Sequence, residues 1–415
     1  MSKKFKISSA TLASALAVAS FISPTFAATP DMSSNISALV NYLESQQEAS
    51  GKIGGFGGET SWTIMGLVAV GIDPDTIENS GNSLLDFLAA NPPSNTATTG
   101  WERDLLTITA AGENPFTFGG RNYVSKVESF YDGTQIGSTT TLNDDIFGIL
   151  SLISAGPSAN QEIISDSIEF LIPNQNSDGG WSWQVGGTSD SNDTAVAIQA
   201  LKSAGNSGFT NTDLADAIDS GVNYLLGLQQ ADGGWEYQSG FGTDAASTAW
   251  VIQALIGEDS AVTVGLNFLV GLQEASGGVQ YQAGFGADTF TSGYALAAFA
   301  QVAYPVGIFQ EEFEEIPQEP TNEEPNQDSE EQASDDDEGK VLSASDTRDD
   351  GRVLAASLPN TGISAALPVE PFEPGINNRN KNNQLNLFLI IGISLISLGI
   401  VGRLIARRYR RNNVD

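Results

Sequence analysis

Gln175-Asn176-Ser177-Asp178-Gly179-Gly180-Trp181 returns as Gln229-Gln230-Ala231-Asp232-Gly233-Gly234-Trp235. A weaker copy, Gln273-Glu274-Ala275-Ser276-Gly277-Gly278-Val279, keeps the glutamine and both glycines but has Val in place of Trp. Each copy follows one apolar run of helical period and precedes another. Asp-Gly-Gly is turn chemistry, because paired glycines reach backbone angles that side chains forbid. Trp then supplies a large apolar anchor with one N–H to place, and Gln at a helix end can bond backbone groups left free at the start of the next helix. The motif therefore reads as a buckle between helices, with Gln175, Gly180, Trp181, Gln229, Gly234 and Trp235 as its structural residues.

Working outward, residues 32–305 divide into six units, each an amphipathic helix, a Gly-rich turn and a second helix. The first helices align on an aromatic at Tyr42, Phe87, Phe130, Phe170, Tyr224 and Phe268. The second align on small-residue runs ending in Leu67, Ile108, Leu152, Leu201, Leu255 and Phe299. A two-helix repeat of roughly 45 residues signals a solenoid or a closed ring. The second helices are rich in Ala, Gly and Ser and can pack closely about an axis. The first carry aromatics on one face and polar residues on the other, as an outer layer does. The expected fold is all-α, an (α/α)6 toroid of inner and outer helices, with an open superhelix as the alternative.

The 415-residue chain has no Cys and no His, which removes disulfides, thiolate nucleophiles, imidazole bases and the usual zinc ligands together. A net charge of -33 argues against nucleic-acid phosphate as a partner, although much of that charge lies in one segment. Residues 1–27 read as a signal peptide, with Lys3, Lys4 and Lys6 before an apolar run and cleavage after Ala27, an uncleaved anchor being the alternative. Residues 309–384 read as an acidic, disordered stalk, dense in Glu and Asp from Glu311 to Asp350. Leu385 to Gly402 is uncharged, and Arg403, Arg407, Arg408, Arg410 and Arg411 follow it. That pattern is a transmembrane helix over 385–402 with a basic cytoplasmic tail over 403–415, placing the toroid outside the cell.

With the repeats aligned, the chain resembles the α/α-toroid superfamily: squalene-hopene and other terpene cyclases, protein prenyltransferase β subunits, and the cobalamin-binding domain of intrinsic factor. The resemblance rests on the Gln-x-x-Asp-Gly-Gly-Trp motif in register with six helix pairs, and on Asp190-Ser191-Asn192-Asp193-Thr194-Ala195. It covers residues 32–305. Squalene-hopene-type cyclases protonate an alkene with the middle Asp of Asp-x-Asp-Asp-Thr-Ala, and Asn192 stands at that place here. An amide has no acidic proton to deliver. The prenyltransferase zinc needs Cys and His, and complement-type thioester toroids need Cys. Leu358-Pro359-Asn360-Thr361-Gly362 resembles a sortase signal cut between Thr361 and Gly362, although such signals sit closer to the span than 363–384 allows.

The repeat alignment sets Asp193 against Glu59, Gly100, Asp144, Ser247 and Thr291, mostly residues favoured at a helix N-cap. Asp193 and Asp144 are accordingly read as N-caps, whereas Asp145 stays a candidate pocket acid. If a cyclase-like activity exists, Asp190, Asp193 and Asp145 are its candidate acids. A ligand at the barrel mouth would meet Asp144, Asp145, Asp190, Asp193, Trp62, Trp101, Arg103, Trp250 and Tyr294, all on inner helices or their starts. Asn174-x-Asn176-x-Asp178 loosely echoes a calcium loop, but Val185 occupies the twelfth position where an acid belongs. No metal and no cofactor are expected. The reading is a surface-displayed, membrane-anchored toroid that binds a small apolar ligand or a protein partner, with the cell wall and a sortase as further candidate partners. An extracytoplasmic terpene cyclase-like isomerase and a corrinoid-binding protein are the alternatives.

Overall fold

The computed structural model describes residues 30–55, 57–156 and 160–310. The expected signal peptide, the stalk beyond residue 310, the sortase-like stretch, the span and the tail lie outside the described residues. Among the described residues, no helix is long and apolar enough to cross a membrane.

Among the described residues, twelve α-helices alternate between two layers. The outer layer is α1 (Ser33–Ser45), α3 (Leu84–Ala90), α5 (Tyr123–Glu128), α7 (Gln161–Leu171), α9 (Leu214–Leu228) and α11 (Asp259–Leu272). The inner layer is α2 (Gly57–Ala69), α4 (Thr98–Ala110), α6 (Leu142–Ser154), α8 (Ser191–Asn206), α10 (Ala245–Ala254) and α12 (Thr289–Ala300). Each inner helix packs on the next, and α12 packs on α2, so the layer closes into a ring. The open superhelix is excluded by that contact. Inner helices are buried on nearly every side, as in α6, α8 and α10. The outer helices bury one stripe, such as Leu39, Val40 and Leu43 of α1. The third outer helix is short, and its aligned aromatic Phe130 falls just beyond α5.

The repeated motif works across repeats. Gln175 Nε2 donates to Gly179 O within its own turn and to Ala217 O near the start of α9. Gln229 does the same for Gly233 and Ala261 of α11, and Gln273 for Gly277 and Asn35 of α1. The buckle therefore joins consecutive outer helices, not helices consecutive in the chain, because α9 lies beside α7 once α8 has turned inward. The first glycine of each pair has φ near +90° (Gly179 89°, Gly233 93°, Gly277 93°). A Cβ there would also strike the next outer helix, 2.1 Å from Ala38 O at Gly277. The second glycine is a platform for the aligned aromatic of the next repeat: a Cβ on Gly180, Gly234 or Gly278 would fall within 3 Å of Tyr224, Phe268 or Tyr42. Trp181 and Trp235 are fully buried, and their indole N–H groups reach Leu171 O and Leu225 O at 3.1 and 2.8 Å.

Gln47-Glu48-Ala49-Ser50-Gly51-Lys52-Ile53 is a further copy that the sequence reading passed over. Gln47 Nε2 donates to Gly51 O, Ile77 O and Asn82 O. Its Gln-Glu-Ala-Ser-Gly is identical to 273–277, which was the available signal.

Candidate functional site

The inner helices point their N-terminal ends toward one mouth of the ring. Their N-caps are Ala97, Thr141, Asp190, Asp244 and Asp288 for α4, α6, α8, α10 and α12. Asp193 and Asp144 are therefore not N-caps, as the alignment implied, but stand three residues inside their helices. Asp, Ser and Thr suit both places, so the pattern was read one helical turn late. In α10 and α12 the inside position is a hydroxyl, and Ser247 and Thr291 donate back to the second oxygen of Asp244 and Asp288 at 2.7 and 2.9 Å. In α8 that hydroxyl is replaced by Asp193. Two carboxyls, both 0% exposed, then face one another across a single turn. Burial raises both pKa values, which favours the protonated form of the pair. Asp190 is shifted the further, by burial first and then by the charge of Asp193 beside it.

Asp190 Oδ1 accepts from Asp193 N at 2.8 Å, while its Oδ2 and both oxygens of Asp193 have no hydrogen-bond partner, and Tyr237 lies beside the pair, its own pKa raised by burial first and then by the two carboxyls. Tyr237 belongs to a collar of loops over the mouth, in which each loop receives the first N–H of the preceding inner helix. Leu142 N donates to Trp183 O, Ser191 N to Tyr237 O and Ala245 N to Tyr281 O, at 2.8 to 3.0 Å. The recurring aromatic-Gln pairs Trp183-Gln184, Tyr237-Gln238 and Tyr281-Gln282 were the overlooked signal for these loops.

Asp145 has a structural role that its neighbours explain. One residue beyond the Asp193 register stand Thr60, Thr194, Thr248 and Ser292, whose hydroxyls accept from Ile53 N, Trp181 N, Trp235 N and Val279 N. Asp145 holds the same place in α6 and accepts from Ile136 N at 2.9 Å. It is the third repeat's version of the buckle hydroxyl, not an acid open to a pocket. Burial pushes its pKa up to about 7. Asp144 accepts from Ser138 N at 3.0 Å. Glu102, unremarked in the sequence, is fully buried beside them with neither carboxylate oxygen hydrogen-bonded, and burial with Asp144 and Asp145 nearby raises its pKa well above the ordinary range.

The layer three residues beyond the Asp193 register is Trp62, Arg103, Phe147, Val196, Trp250 and Tyr294, one from each inner helix. Four of these meet on the axis. Trp62 lies 5.4 Å from Trp250, 5.2 Å from Tyr294 and 6.2 Å from Phe147 between ring centroids, and Trp250 lies 5.2 Å from Tyr294. Tyr304, from beyond α12, completes the cluster at 5.6 Å from Trp62 and 5.4 Å from Trp250. Arg103 pairs with buried Asp104 at 3.1 Å, and Asp104 also accepts from Ser61. Trp101 is not at the mouth. It turns outward to stack 5.0 Å from Tyr123 of α5 and donates to Ser94 O. The Asn176 and Asp178 side chains serve their own turn, bonding Gly187 O, Ser189 Oγ and Gly180 N.

No protein-family model matches the chain, and no curated protein matches it. Among solved structures, the type II terpene cyclase MstE from Scytonema, in its apo form, is similar at 12% identity and a TM-score of 0.49, over 65% of this chain and 98% of that one. A protein from Actinoplanes is similar at 14% identity and a TM-score of 0.48, over 65% of this chain and 98% of that one. ent-Copalyl diphosphate synthase from Streptomyces platensis is similar at 16% identity and a TM-score of 0.42, over 60% of this chain and 50% of that one, so this chain spans half of its length. At such identities nothing about activity or substrate follows.

Proposed function

We propose that the toroid is a binding module displayed on the cell surface by a stalk and a single membrane span, taking a ligand or partner at its barrel mouth, and that it is not a catalyst. The observation that carries this reading is the packed axis. Where a cyclase would need an open apolar chamber, Trp62, Phe147, Trp250, Tyr294 and Tyr304 fill the space with ring-to-ring spacings of 5.2 to 6.3 Å. Above them, the α8 residue one turn from Val196 on the same helix face is Asn192, an amide. Incubating the purified protein with squalene and with linear isoprenoid diphosphates tests the reading, and recovery of any cyclised product overturns it.

A second reading, a proton-donating enzyme of the cyclase type, is favoured by the two buried carboxyls of Asp190 and Asp193, one turn apart at the head of α8. Under it, Asp190→Asn abolishes product formation while leaving the fold intact. Display outside the cell has its own test. Protease added to intact cells is expected to release the toroid by cutting beyond residue 310. Thr361→Ala is expected to move the protein from the wall to the membrane fraction if a sortase acts, and to change nothing if the span alone anchors it.

A further inference from the structure

The chain leaves the ring by crossing its own axis. After α12, Gln301 adopts left-handed angles (φ 53°, ψ 47°) and turns the backbone across the C-terminal ends of the inner helices. Tyr304 then enters the axis, 2% exposed, with its N–H on Gln199 Oε1 of α8 at 2.9 Å. Gly307 passes the end of α4, Phe309 N donates to Ser154 O at the end of α6, and the Phe309 ring rests 6.1 Å from Phe116.

The space Tyr304 fills is provided by the inner helices themselves. One turn beyond the aromatic layer, the same stripe reads Gly66, Thr107, Ser151, Ala200, Ala254 and Ala298, all small. A wide level below a crowded one leaves room for one ring, and the chain supplies it. Two amides line this level in matching register, Gln199 in Ala-Ile-Gln-Ala-Leu of α8 and Gln253 in Val-Ile-Gln-Ala-Leu of α10. The strap satisfies the oxygen of one. Gln253 Oε1, on a residue 1% exposed, has no hydrogen-bond partner, and neither does the Tyr304 hydroxyl. A buried acceptor left unpaired is costly, and a bound donor would relieve it.

We infer that the axis is a receptor site for a planar aromatic molecule carrying a hydrogen-bond donor, of the phenol class, and that Tyr304 is its built-in competitor. This rests on reading the toroid as a binding module. The strap is held by the Tyr304 and Phe309 rings, their two N–H bonds and the partly buried Val306, so a ligand has few interactions to displace. Gln199 and Gln253 supply the acceptors, and Trp62 and Trp250 the flanking faces.

The test is titration of p-cresol into the full-length protein, wild type against Tyr304→Ala and Phe309→Ala, read by calorimetry and by the shift in Tm. Tyr304→Ala is expected to bind p-cresol at one site at least tenfold more tightly than wild type. Phe309→Ala, which loosens the strap but keeps the competing ring, is expected to fall between them. Adding Gln253→Leu to Tyr304→Ala is expected to weaken p-cresol but not toluene. Equal affinity across the three proteins, or a folded Tyr304→Ala that takes no p-cresol, overturns the proposal. If Tyr304→Ala does not fold, Phe309→Ala indistinguishable from wild type overturns it instead. A cyclised product from squalene would sink the binding-module reading without altering these titrations, so the two failures are separable.

Discussion

Asp193 is where one repeat departs from its neighbours, with a carboxyl where α10 and α12 have a hydroxyl. A carboxyl whose folded pKa lies above its unfolded value favours folding fully below the unfolded value, and that contribution is lost as pH rises through the folded one. Asp145 and Asp244, both pushed up to about 7 by burial, place that loss between roughly pH 4 and pH 7. Glu102 and Asp190, shifted in the same direction, add to it. The toroid is therefore expected to unfold at lower denaturant at pH 8 than at pH 5. Asp193→Ser, which restores the donor seen at Ser247, is expected to raise stability at pH 8 by about 1–3 kcal/mol and flatten the slope. A slope unchanged by Asp193→Ser would show that the carboxyl pair does not hold the proton. Asp190 and Asp193 stood out in the sequence as a cluster, but their division of labour did not. Which of two acids three residues apart caps a helix depends on where the first turn begins, and Tyr237, which decides how Asp190 is enclosed, arrives from the following repeat.

The buckle is the element on which the sequence spoke most directly, because Gly-Gly admits few backbone courses and Trp needs burial. What it could not disclose was the partner, since Gln175 reaches Ala217 across the whole of α8. Trp181→Ala and Trp235→Ala are each expected to cost about 3–5 kcal/mol in denaturant unfolding. Two near-neutral results would show that the indoles are not packing elements. One glycine inside the motif and one outside it supply the contrast. Gly277→Ala meets both a positive φ and Ala38 O, and is expected to destabilise by more than about 1 kcal/mol. Gly227→Ala, inside α9 with nothing within 4 Å, is expected to stabilise by about 0.5–1 kcal/mol. Equal effects at the two sites would remove the case for close approach.

At the scale of the molecule, the closed ring was legible as one of two outcomes, and the closing contact decides between them. Gln273 Nε2 donates to Asn35 O at 2.9 Å while Asn35 Nδ2 donates to Gln273 Oε1 at 2.6 Å, and the Thr289 hydroxyl donates to Glu59. Excising α9 and α10 with their connections is expected to abolish cooperative unfolding, because five pairs cannot span the same circle, whereas an open stack would tolerate the loss. A cooperative transition in that deletion would reverse the conclusion.

The seam between Asn35 and Gln273 also sets a timetable. Its partners are 238 residues apart in the chain, and contacts of such separation form late because a long loop must first be closed. Among the described helices α1 comes first in the chain but has its place beside α12, which comes last. α1 therefore waits with its Leu39, Val40 and Leu43 stripe uncovered until α12 is in place. Whatever delays that closure prolongs the exposure of an apolar stripe, and the yield of folded protein is expected to fall with it.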